Sequence, residues 1–146
     1  MPERKTLERA AKDKREGKSA GTQAGEFVRE EIEHIREGKH GARSAKQAIA
    51  IGLSKARRAG VDLPPPKKGK TSERTRKSAA RAYEAGQAAK PVSKARSRAA
   101  AEKLKGEPRA AASKLALSRH AKAAASKRTA SERSASARKA ARSRVH

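Results

Sequence analysis

A chain of 146 residues has room for one ordinary domain, and this one carries 39 Lys and Arg against 15 acids, a formal charge of +24. Its 34% apolar content is mostly alanine, with one Phe, one Tyr, one Met, no Trp and no Cys. That composition excludes disulfides, thiolate metal centres, transmembrane spans and a core of large residues running the length of the chain.

Low hydrophobicity with high charge is also the signature of chains that stay largely unfolded alone, so limited tertiary structure is expected. The opening "MPERKTLERAAKDKREGK" lacks an apolar signal core, and its acids argue against a transit peptide. A soluble, cytoplasmic protein is the expectation.

The first predicted element is a polar helix over residues 2–16, stopped by Gly17. A second helix is predicted over 23–37 and ended by Gly38. Val28, Ile32 and Ile35 form one stripe on it at i, i+4 and i+7. A third is predicted over 45–59, with Ser44 as N-cap and Gln47 at the reciprocal capping-box position. Gly60 fits the left-handed position after its end, with Val61 placed for the accompanying apolar contact.

Residues 26–37 hold five glutamates and two arginines, whereas 41–60 hold five basic residues and no acid. The second and third helices therefore complement each other electrically. An antiparallel hairpin would bury Val28, Ile32 and Ile35 against Ile49, Leu53 and Ala56. So few large residues make a marginal unit, and a homodimer or docking on a partner is expected to relieve it. The connector "GKHGAR" plus Ser44 is longer than the turn of about three or four residues in a helix-turn-helix. A plain hairpin is the better reading.

"LPPPKKGK" then acts as an extended spacer, dividing the chain into a helical module, 1–66, and a basic tail, 67–146. The module holds fifteen Lys and Arg against ten acids; the tail holds twenty-four against five. Twenty-three alanines give the tail helix propensity. Start signals recur at Ser72, Ser93, Pro108 and the capping box "TASE", residues 129–132. Cations lie on every side of these segments, no buried stripe is evident, and like charges oppose helix formation. The fold class expected is thus all-α: a small helical hairpin module followed by a mostly disordered or partly helical tail.

Such a cationic tail calls for a polyanion. A membrane surface would need Trp, Phe or Leu opposite the charges, and the tail has no Trp or Phe and only three leucines. Nucleic acid is favoured, and the scarcity of aromatic rings removes the stacking platforms of single-strand binders. Duplex DNA held through its phosphates remains, with little regard to base identity. The residues expected to carry it are Arg43, Lys46, Lys55, Arg57 and Arg58 in the module. In the tail they are Lys67, Lys68, Lys70, Arg74, Arg76, Lys77, Arg81, Lys94, Arg96, Arg98, Lys103, Lys105, Arg109, Lys114, Arg119, Lys122, Lys127, Arg128, Arg133, Arg138, Lys139, Arg142 and Arg144. Ser44 and the helix N-terminus behind it would add backbone donors.

Other motifs carry little. "GKS" at 17–19 and "GKT" at 69–71 echo a P-loop ending, but Lys12 and Pro64 stand where the motif requires glycine. His34, His40, His120 and His146 read as surface residues without ligand spacing, so no metal and no cofactor is expected. Glu30, Glu31, Glu33 and Glu37 read as partners for neighbouring cations. No nucleophile has an adjacent base, so no enzymatic activity is expected.

The run "TQAGEFVREEIEHIREGKHGARSAKQAIAIGLSKARRAGVDLPPPKKGK", with "MPERKTLERAAKDKREGKSA" before it, resembles the shared region of a family of small basic bacterial proteins. That region is a domain of unknown function often labelled DNA-binding. The tail resembles linker-histone tails and the Lys/Ala-rich extensions of bacterial histone-like proteins. Together the resemblances imply a bacterial, nucleoid-associated, histone-like DNA-binding protein. The rival expectations are an RNA- or ribosome-associated polycation, and a disordered stress-protective or scaffolding protein whose partner docks on the acidic second helix.

Overall fold

The computed structural model describes residues 1–144; Val145 and His146, the latter assigned above to the surface, lie outside the described residues. Seven α-helices follow one another among these: α1 (Arg4–Arg15), α2 (Ala20–Arg36), α3 (Ala45–Arg58), α4 (Glu73–Gln87), α5 (Lys94–Lys105), α6 (Lys114–Ser126) and α7 (Ala130–Arg144). A 3-10 turn, Ala110–Ala112, precedes α6. There is no strand among the described residues; Lys68 and Thr71 form an isolated bridge around Gly69.

The first three helices end alike. Gly17, Gly38 and Gly60 take φ of +72°, +81° and +95°. In each case the next residue's N–H reaches back a full turn: Lys18 to Asp13 O, Lys39 to His34 O, Val61 to Ala56 O. These are Schellman closures, and only glycine adopts that φ without a Cβ penalty. Ser44 caps α3 by accepting from Gln47 N–H. Gln47 Oε1 returns the bond to Arg43 N–H, one residue before the cap, at 2.6 Å. The start of α2 lies three residues before the expected one, because Ser19 Oγ accepts from Thr22 N–H and begins the helix there.

Helices α2 and α3 pair in opposite directions. Phe27 packs with Ala56, and Ile32 and Ile35 pack with Ala48. Between these contacts a Cβ on Gly52 would stand 2.6 Å from Val28 Cα, so the two backbones almost touch there. Phe27 and Ile35 are fully buried, whereas Val28, Ile49 and Leu53 remain half-exposed. α1 closes one side through Ala10, beside Ala24 and Phe27.

The expectation of a mostly disordered tail is overturned: α4 to α7 occupy it. Ser72, Ser93 and Ser113 cap α4, α5 and α6. Thr129 and Glu132 form the expected capping box, with Thr129 N–H on Glu132 Oε2 at 2.8 Å and Glu132 N–H on Thr129 Oγ1 at 3.1 Å. Pro108 does not open a helix. Its carbonyl accepts from Ala42 N–H instead.

The tail also supplies core, through small residues. Ala79, Ala82 and Gly86 are buried on one face of α4, and a Cβ on Gly86 would lie 1.7 Å from Arg57 O. Ala111 and Ala112 join Ile32, Ile35, Ala42 and Ala48, with Leu117 packed against them. Hydrogen bonds to backbone fasten this region: Gly41 N–H donates to Leu104 O, and the Arg36 side chain, through Nε, to Ala112 O. The hairpin is therefore covered by its own chain. α5, α6 and α7 have no buried residue.

Candidate nucleic-acid interface

Two regions of chain far apart in sequence meet at the start of α3. Arg43, Ser44 and Lys46 line one wall of a cleft of about 380 Å³, Arg119 and His120 of α6 another, and Ala110 and Ala111 contribute to its lining. The first-turn N–H groups of α3 have no partners within their own helix, and the N-terminal end of the helix carries partial positive charge. Arg43, Lys46 and Arg119 are exposed. The cleft can therefore take an anion of phosphate size, held by two side-chain cations from the module and one from the tail.

Beyond the cleft, the cations follow the outer surfaces of α4 to α7. Lys67, Lys68 and Lys70 stand exposed on the turn before α4; Arg74, Lys77 and Arg81 on α4; Lys94, Arg96, Arg98 and Lys103 on α5; Lys114, Arg119 and Lys122 on α6; Lys127 and Arg128 in the turn after it; and Arg133, Arg138, Lys139, Arg142 and Arg144 on α7. Acids engage few of these segments' cations. Arg76 pairs with Glu73 at 2.7 Å and Lys105 with Glu102 at 2.8 Å. The Arg76 guanidinium, through its hydrogen bond, holds Glu73 below the usual carboxylate range. Arg128 and Arg133 turn partly to backbone, donating to Glu132 O and to Ala125 O.

Three expected phosphate contacts face inward or are otherwise engaged. Arg57 is buried; its Nε donates to Leu63 O at 3.0 Å and its Nη2 to Pro64 O at 3.3 Å. Burial depresses its pKa from the ordinary guanidinium value. It pins the proline spacer against α3. Lys55 pairs with the buried Glu31. Arg109 donates to the last carbonyls of α2, Ile35 O at 3.2 Å and Arg36 O, which are the acceptors a helix end leaves open. Arg58 is half-buried on α3.

The reading of the acids and histidines also changes. Glu33 pairs with Arg29 and Glu37 with Lys39, as expected. Glu31 also has its cation, Lys55, but it and Glu30 are buried inside the fold. His34 and His40 are not surface residues: their side chains are 14% and 13% exposed and stand against carboxylates. The signal was present, since Glu31 and His34 are three residues apart on one helix and thus share a face. The third member, His40, follows a turn, so spacing alone did not include it.

The fold and this surface define a small, strongly basic all-α protein. Residues 13–68 match the family of unknown function DUF6496, which covers α2, α3 and the proline spacer. Neither a curated protein nor a solved structure matches the chain. No helix among the described residues is long and apolar enough to cross a membrane.

Proposed function

We propose that this chain is a non-enzymatic, largely sequence-independent binder of duplex DNA, nucleoid-associated and histone-like in action. One observation carries the reading: folding sorts the charges. Glu30, Glu31 and Asp13 are buried, while the cations of α5 to α7 remain outside and mostly without acid partners. A surface of that kind displaces counterions from phosphates wherever a cation reaches one, and needs no base contact. Within each tail helix the cations hold helical spacings, so neighbouring cations on one helix can meet successive phosphates. The same sorting weighs against a scaffolding role for α2, whose Glu30 and Glu31 are not offered to a partner.

The test is binding of the full chain to duplex DNA of two unrelated sequences between 50 and 200 mM salt. With about eight phosphates engaged, affinity should fall about a thousandfold or more over that range, equally for both sequences. Removal of residues 129–146, which bury nothing among the described residues, should flatten the slope. A complex insensitive to salt would refute the proposal, and structured RNA competing far better than duplex DNA would replace it with an RNA-binding function.

A further inference from the structure

We propose that Glu31, His34 and His40 form a binding site for one divalent transition-metal ion of the Zn²⁺ class. A carboxylate oxygen and two ring nitrogens of these residues lie within 4.8 Å of one another. Two imidazoles and a carboxylate are a donor set that suits such ions and leaves a coordination position open.

The buried carboxylates offer oxygens that an ion can engage. Glu31 Oε1 is taken by Lys55, whereas the buried Glu31 Oε2 has only the His40 imidazole beside it, at 3.1 Å, and accepts no well-formed hydrogen bond. The neighbouring Glu30 Oε2 is likewise buried and unpartnered, while its Oε1 accepts from Glu3 N–H at 2.9 Å. A buried carboxylate oxygen without a partner carries a desolvation cost that a coordinated ion removes.

The imidazoles are set for the same occupant. His40 Nδ1 lies 3.0 Å from Gly41 O, a carbonyl that can only accept, so Nδ1 carries the proton. In the neutral ring Nε2 then presents its lone pair, 3.1 Å from Glu31 Oε2. Ligand atoms about 2.0–2.1 Å from one ion and roughly 90–110° apart stand about 3.0–3.4 Å from each other. The pair is thus spaced as two ligands of one metal. His34 Nε2 lies 2.8 Å from Glu3 Oε1, which fixes that proton and leaves Nδ1 as its lone-pair nitrogen. A ring N–H held by a carboxylate or a backbone carbonyl is the usual outer-shell arrangement around a metal-bound histidine. The ion would tie the end of α2 to the following turn, whose Gly41 and Ala42 anchor the tail.

The test uses the full chain stripped with a chelator and titrated with Zn²⁺ by calorimetry, with histidine ring ¹⁵N spectra recorded alongside. One ion per chain is expected, with the ring signals of His34 and His40 shifted and those of His120 unmoved. His34→Ala and His40→Ala should each weaken binding tenfold or more at unchanged helix content by circular dichroism. Absence of a stoichiometric site, shifts confined to other histidines, or a folded His40→Ala variant that binds as tightly as the parent would each overturn the proposal. Should the variants lose helix, the ring spectra of the unaltered chain decide alone.

Discussion

The Lys55 ammonium on α3 pairs with the Glu31 carboxylate on α2, a side chain with no exposed surface. Removing one partner of a buried pair strands the other charge, at a cost of about 3–5 kcal/mol. Lys55 is itself 29% exposed, so Lys55→Met should fall near the lower figure. The double variant Glu31→Gln, Lys55→Met should recover part of the loss, because no bare charge then remains. Urea denaturation of the three chains measures both effects.

Gly86 lets α4 rest on the end of α3, with Arg57 O where its Cβ would be. Gly86→Ala cannot be absorbed by a side-chain movement, since the clash is with backbone. A destabilisation of about 1–3 kcal/mol is expected, or separation of α4 from α3. Faster amide exchange in α4, with α1 and α2 less affected, would identify the second outcome.

Tyr83 on α4 donates to Asp62 Oδ1 at 2.7 Å, and this bond raises its pKa above the ordinary tyrosine value. The bond needs the protonated phenol. Its contribution is therefore complete below pH about 10 and is lost as pH rises through the folded-state value. Tyr83 is the chain's one tyrosine and there is no tryptophan, so absorbance near the phenolate band reports it alone. Asp62→Ala should return its midpoint to the ordinary value, and a parent chain already titrating there would show that α4 is not held as described.

Ala89 closes α4 in the left-handed region at φ +51°, with Lys90 N–H on Ala85 O at 2.9 Å. An L-residue with a Cβ costs about 1–2 kcal/mol in that conformation. Ala89→Gly should therefore stabilise the chain by up to about 1 kcal/mol, the gain being trimmed by the greater freedom of glycine when unfolded. A melting temperature higher by about 2–4 °C is the expected reading.

Lys46 and Arg119 come from opposite parts of the chain to one cleft. If both meet phosphate, Lys46→Gln and Arg119→Gln should each weaken duplex binding equally for all sequences and reduce the salt slope by about one. Equal losses from Lys139→Gln and no loss from the cleft variants would confine the contact to α7.

The local punctuation of this protein was legible from residues alone. Gly17, Gly38 and Gly60 end the first three helices, Ser44 opens α3, and the Thr129–Glu132 box opens α7, because caps depend on one or two neighbouring residues. The pairing of α2 with α3 was legible too, from the stripe of Val28, Ile32 and Ile35, but not its partners: Ile32 and Ile35 meet Ala48, Phe27 meets Ala56, and Ile49 stays half-exposed. The tail's order was not legible, since it rests on small residues rather than on large apolar ones. The Ala79, Ala82 and Gly86 face packs by backbone proximity, which hydrophobicity does not register.

Charge sorting belongs to tertiary structure alone. Lys and Arg look alike along the chain, yet Arg57 is buried against Leu63 and Pro64, Arg109 closes the end of α2, and Arg119 stands open beside Lys46. Likewise Glu33 stays at the surface while Glu31, two residues earlier, is enclosed with His40. Composition determined that this protein would be helical and strongly cationic, because helix propensity and net charge are sums over residues. Which cations remain free, and where carboxylate meets imidazole, was decided only by packing between distant segments, because those contacts depend on which faces the helices turn toward one another.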